Sequence, residues 1–216
     1  MLSVKTFIFN SIQVNTYIVY NENNDCVIID AGNLEPYEDQ QILNYIDRSG
    51  LKPVMLLNTH SHIDHVMGNK ILAEKYNIQL AASPIEKPFY DKVWAYATAF
   101  GINFTQDRCL TPTIDLADGE IINIGDDELK VLYTPGHAPG HVCFYDDKDG
   151  IVFTGDTLFY RGIGRCDLPG GNYYQIEQSL REVLYQLPDD TICYCGHGPQ
   201  TRIGDEKRNN PEVNSF

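Results

Sequence analysis

Basic residues are scarce in this chain. Of 216 residues, 16 are Lys or Arg against 30 Asp or Glu, a formal net charge of −14. Such a chain lacks the positive footprint that polyanions require, so nucleic acid is not an expected partner. Long apolar runs are also missing. None approaches the ~18 residues of a membrane span, so no membrane partner is expected. The first twenty residues hold a single Lys and are broken by Asn, Ser and Gln, unlike a signal peptide, and a cytoplasmic protein is expected. Cysteine is sparse too, since six are too few for a disulfide scaffold of this length. Cys26, Cys109, Cys143, Cys166, Cys193 and Cys195 lie mostly in apolar runs and read as buried, reduced thiols. Cys193 and Cys195 share one face of a strand, and Cys195 is close enough to His197 to line a site. What is present, 43% hydrophobic and 11% aromatic residues, suffices for a real core in one domain or two merged halves.

The chain opens with β-rich segments over 4–9, 15–20 and 26–29, the last two joined by a polar turn at 21–25. A helix is expected over 36–49, with Ile42, Leu43 and Ile46 as its apolar stripe and Gly50 at its end. The apolar run 53–57 reads as a strand buried on both faces. A second helix is expected over 64–76, with Val66, Met67, Ile71 and Leu72 inward. Ser83-Pro84-Ile85-Glu86 has the order of a helix cap, and predicts a helix reaching Gly101. Trp94, Tyr96 and Phe100 on it are expected in the core or along a groove. Strands return near 113–116, 120–124, 128–133, 141–145 and 151–154. A last helix over 173–186 is opened by Asn172 and Gln175 and stopped by Pro188, followed by a strand at 191–195. This order favours a β core with helices on its outer faces.

All six histidines fall in three places: His60, His62 and His65; His137 and His141; and His197. Each place is a loop after an apolar strand, where rigid scaffolds carry function. Imidazole and carboxylate suit zinc, iron or manganese, and three imidazoles in six residues can wrap a metal pair. His60 and His62 alternate, so both point one way from an extended loop. Asp64 and His65 begin the next helix, whose positive end favours an ionised Asp64. One loop cannot complete two coordination spheres. His137, Asp156 and His197, at the ends of later strands, are the candidates for the rest.

His60-x-His62-x-Asp64-His65, Thr134-Pro-Gly-His137, Thr154-Gly-Asp156 and Gly196-His197-Gly198 occur in the order seen in the metallo-β-lactamase-fold superfamily. Asp30-Ala-Gly32 looks like that superfamily's first motif. The resemblance covers nearly the whole chain and implies an α+β fold, a four-layer αββα sandwich. Thr154–Phe159 followed by Gly162-Ile-Gly-Arg165 looks like the glyoxalase II branch, the hydroxyacylglutathione hydrolases, and also resembles the persulfide dioxygenases. The resemblance implies a first metal on His60, His62 and His137, a second on Asp64, His65 and His197, and Asp156 bridging. Two zinc ions are expected, with iron or manganese as alternatives. Asp30 would support the ligands from behind. His141 would either lock the His137 loop or touch substrate.

The implied chemistry is hydrolysis of a 2-hydroxyacyl thioester, a small molecule, by a metal-activated water that Asp64 helps to orient. Arg165 matches a basic residue that binds the glutathione carboxylate in that family, and its competing reading is a surface salt bridge. Phe159, Tyr160 and Tyr173 are candidate pocket walls. Only a short tail follows His197, so residues 1–216 are expected to form one domain without the helical C-terminal glutathione-binding domain of long glyoxalases II. A persulfide dioxygenase with one iron on His60, His137 and Asp156 is the alternative from a different reaction class. A lactonase is a third reading. β-Lactamases with a Cys ligand at the bridging position are disfavoured by Asp156. The oligomeric state is not legible.

Overall fold

The computed structural model describes residues 1–213. The chain divides into two compact units, one of Met1–Leu116 with Asn123–Asp127, the other of Ala117–Ile122 with Glu128 onward.

The first unit carries a six-stranded mixed sheet in the order β1 (Ser3–Phe9), β2 (Val14–Tyr20), β3 (Asp25–Ile29), β4 (Lys52–Leu57), β5 (Gln79–Ala82) and β6 (Ile114–Asp115). The β1–β2 and β2–β3 pairings are antiparallel and the others parallel. Parallel strands require crossovers, and helix α1 (Pro36–Arg48) supplies the first of them. Its Ile42 and Ile46 are fully buried, as the stripe predicts, and each contributes about 1.5–3 kcal/mol by burial. Asn21 makes the turn between β2 and β3, its side-chain oxygen accepting from the Asn23 and Asp25 amides.

Three expectations are corrected in this unit. β4 is not buried on both faces, because Val54 is 40% exposed and only Leu56 and Leu57 are enclosed. The helix expected over 64–76 is two, α2 (Ile63–Val66) and α3 (Asn69–Tyr76), broken at Met67–Gly68. The Asn33 side chain packs where a Gly68 side chain would stand, with Oδ1 1.9 Å from the position of a Cβ, and the Gly68 amide donates to the Ala31 carbonyl. The dipole argument for Asp64 therefore shrinks to one turn. The helix expected from Ser83 opens later, as α4 (Lys87–Tyr90) and α5 (Val93–Ala99). Trp94 and Tyr96 on α5, and Phe100 just after it, are exposed, which rules out the core reading.

The other large sheet is also mixed, in the order β14 (Thr201–Arg202), β13 (Ile192–Cys195), β10 (Ile151–Gly155), β9 (Val142–Asp146), β8 (Asp127–Tyr133) and β7 (Ile121–Ile124). A small hairpin, β11 (Leu158–Phe159) with β12 (Gly162–Ile163), follows β10. β9 and β10 are wholly buried, as their apolar runs predict. Helix α6 (Tyr173–Gln178) is capped by Asn172, whose side chain accepts from the Gln175 amide, and continues through wider and tighter turns to Gln186. Ile176, Leu180 and Leu184 are buried on it. Helix α7 (Ile203–Asn209) is the last element among the described residues and is missed by the sequence reading, as are β5, β11, β12 and β14. These are too short to show a period.

All six thiols are free. Cys26, Cys143, Cys193 and Cys195 are buried, while Cys109 and Cys166 are half-buried. Burial pushes Cys26 and Cys195 up to about 12, so neither is a thiolate at neutral pH. Thiol labelling of the native protein at pH 8 is expected to reach Cys109 and Cys166 first, and the other four only on unfolding. Mass spectrometry checks this, and rapid native labelling of Cys195 would contradict it.

Candidate metal centre

In the first unit, three parallel strands end side by side and each delivers part of the site. β3 runs into Asp30, β4 into Asn58–His62, and β5 into the segment carrying Glu86. Asp30 is buried at φ +52°, a left-handed conformation that Asp tolerates better than most residues. Its carboxylate accepts from the Thr59 amide at 2.8 Å, the Thr59 hydroxyl at 2.7 Å and His65 Nδ1 at 2.9 Å. The Thr59 hydroxyl proton is thus committed to Asp30, so Thr59 Oγ1 accepts from His60 Nδ1 at 2.9 Å. Both imidazoles are fixed in the tautomer that carries the proton on Nδ1 and presents a lone pair on Nε2. That is how ligating histidines are oriented.

The rings crowd together. His60 lies 4.6 Å from His62 and 4.2 Å from His65 between centroids. His65 Nε2 stands 3.5 Å from Asp64 Oδ2. Asn58, also buried, donates to the His65 carbonyl at 3.0 Å and ties the two ends of the loop.

In the second unit, β10 and β13 are parallel neighbours with Gly155 opposite Cys195, so Asp156 and His197 emerge together. Gly196 is required there, since a Cβ would lie 2.2 Å from Asp156 Oδ1. Asp156 Oδ2 is 3.4 Å from His137 Nε2 and 3.6 Å from His197 Nε2. His137 Nδ1 donates to the Arg165 carbonyl at 2.7 Å, which again leaves Nε2 as the acceptor nitrogen. His141 is different. Its Nε2 accepts from the Asp156 amide at 3.1 Å, and its Nδ1 sits 3.0 Å from Thr134 Oγ1 and 3.1 Å from Thr157 Oγ1. Both nitrogens are engaged, so His141 locks the loops and the substrate-contact reading is not favoured.

The donors fit a metal. Two ligands about 2.05 Å from a tetrahedral ion stand about 3.3 Å apart. The 3.4–3.6 Å separations between imidazole nitrogen and carboxylate oxygen match that spacing and are long for hydrogen bonds. A nitrogen and oxygen set without thiolate suits zinc, iron or manganese.

The other expected contacts are mixed. Phe159 packs edge-on against His197 at 5.9 Å between ring centroids. Tyr160 is exposed and lies under the Arg161 guanidinium, 5.2 Å from its centroid. Tyr173 is exposed and donates to the Glu212 carbonyl. Arg165 forks onto Asp167 through two bonds of 2.9 Å, both side chains 69% exposed, so its guanidinium is in the surface ion pair. The pair lowers the Asp167 carboxyl and raises Arg165. Sequence reading missed Thr59, Asn58, Glu86 and the Arg165 carbonyl. None carries a ligand signature, although Thr59 adjoins the histidine cluster.

A family model described as the Metallo-beta-lactamase superfamily matches residues 10–197. The chain belongs to that superfamily. A hydroxyacylglutathione hydrolase, GloC, of Haemophilus influenzae is 32% identical and covers 99% of both chains. The solved structure of the BLEG-1 B3 metallo-beta-lactamase superposes with a TM-score of 0.88 at 30% identity, covering 98% of both chains. TTHA1623 in a di-iron-bound form gives a TM-score of 0.87 at 35% identity, covering 97% of this chain and 100% of that one. The fold class is therefore the superfamily's, two mixed sheets flanked by helices, as the resemblance implies. This superfamily member is a metal-dependent hydrolase, with a small-molecule substrate implied by its hydrolase relatives. Among the described residues, no helix is long and apolar enough to cross a membrane.

Proposed function

We propose that the chain hydrolyses 2-hydroxyacyl thioesters with two metal ions. His60, His62 and His137 hold one, Asp64, His65 and His197 hold the other, and Asp156 is shared. The observation that carries this reading is the orientation of the donors, with His60, His65 and His137 each locked to present Nε2. The full-length likeness to the Haemophilus hydrolase supports the substrate class.

When bound, a metal pair supplies Lewis acidity and lowers the pKa of water toward ~7. Asp64, whose Oδ2 stands 3.5 Å from His65 Nε2, would orient the attacking water. Asp156 is held for its shared role by His141, which accepts from its amide, and Gly196 leaves room for its carboxylate. Phe159 shields His197 on one side. The leaving thiolate needs little protonation, so no dedicated general acid is required.

A panel of thioesters, lactones and persulfides tests the reading. Thioester turnover is expected. Oxygen uptake with a persulfide, and no thioester turnover, would replace it by the mononuclear-iron reading on His60, His137 and Asp156. The Arg165→Ala variant separates carrier classes. A carboxylate anchor on an exposed guanidinium predicts a KM increase of about fivefold to tenfold for carboxylate-bearing thioesters and little change for neutral ones. Equal changes for both would reject Arg165 as an anchor.

A further inference from the structure

Glu86 is a buried carboxylate, 1% exposed, outside the donor set. Its Oε2 accepts from the Ser61 amide at 3.1 Å and also from the Ser61 hydroxyl. Ser61 stands between His60 and His62, so these bonds fix the peptide on which both imidazoles are mounted. The cap signature at Ser83–Glu86 conceals this, since Glu86 turns to the neighbouring loop and the helix opens one residue after it. A second grip comes from the other end of α4. Tyr90, 2% exposed, donates its hydroxyl to Asn58 Oδ1 at 3.2 Å, and Asn58 in turn binds the His65 carbonyl. Residues 58 and 61 of the loop are thus held from one short segment.

Burying a carboxylate carries a desolvation penalty of several kcal/mol, which an apolar side chain of that size would not incur. A group kept there at that penalty acts through what it holds. We propose that Glu86 is a positioning residue for the metal loop: it sets the Ser61 peptide and thereby how tightly His60 and His62 hold metal, with Tyr90 as the secondary grip. This rests on the assignment of His60 and His62 as ligands above.

The test measures zinc affinity by chelator competition, alongside the melting temperature of the metal-free chain, for the wild type and Glu86→Ala, Glu86→Gln, Ser61→Ala and Tyr90→Phe. Outer partners of metal ligands typically govern 10–100-fold in affinity, and Glu86→Ala is expected to lose about that much. Glu86→Gln, whose amide oxygen still accepts from Ser61, is expected to recover most of it. Ser61→Ala should weaken zinc about threefold to tenfold, and combining it with Glu86→Gln should add less than the two single losses. If Glu86→Ala does not fold, Glu86→Gln and Ser61→Ala carry the test. Wild-type zinc affinity in every soluble variant, with only the melting temperature lowered, would overturn the proposal. A wild-type chain that binds no zinc, iron or manganese would instead overturn the ligand assignment beneath it.

Discussion

Asp156→Ala is expected to abolish metal binding and activity together while leaving a folded chain. Its carboxylate stands 3.4 Å from His137 Nε2 and 3.6 Å from His197 Nε2, spacings that would suit a ligand shared by two ions. Its amide donates to His141, and Ala preserves that bond. The folded state therefore loses little. Metal catalysis supplies several kcal/mol of transition-state stabilisation, so activity should fall by about 10³-fold or more. Metal analysis and circular dichroism on the same sample check this. Normal metal content would remove Asp156 from its shared role.

Asp30→Ala should do the opposite damage, unfolding first. The change leaves the Thr59 amide, the Thr59 hydroxyl and His65 Nδ1 without their carboxylate acceptor in a buried place. It also puts Ala at φ +52°, which costs about 1–2 kcal/mol. A broken buried charge network typically costs about 3–5 kcal/mol, so the melting temperature should fall by roughly 10 °C or more. Asp30→Asn separates the two causes. Asn tolerates the left-handed backbone, so the strain is absent, but its amide cannot accept as the carboxylate does. It should melt closer to the wild type and still bind metal about 10–100-fold more weakly. An Asp30→Ala protein as stable as the wild type would show that the network beneath the histidines contributes nothing to the fold.

The contrast between these two residues mirrors what is legible in sequence. Donor residues sit in compact signatures at strand ends, so His60 to His65, His137, Asp156 and His197 can be found by spacing and chemistry alone. The strands that place them are legible as well, because β3, β9 and β10 are buried apolar runs. Support is different. Glu86 reaches Ser61 across 25 positions and the Arg165 carbonyl reaches His137 across 28, and no local pattern announces such partners. Local rules even mislead at Ser83–Glu86, where a plausible cap gives way to a tertiary bond. The break at Gly68 has the same origin, since it is Asn33, far back in the chain, that packs against it. Arg165 carries a resemblance of position to a carboxylate anchor, and in the structure its guanidinium forks onto Asp167, two residues away.

This superfamily member is expected to hold two metal ions on its His and Asp donors. The direct measurement is metal content per chain after purification and after reconstitution with zinc, iron or manganese, by elemental analysis against protein concentration. Two ions per chain are predicted, falling to near zero in the Asp156→Ala variant. One iron per chain, unchanged by added zinc and accompanied by oxygen uptake on a persulfide, would contradict it.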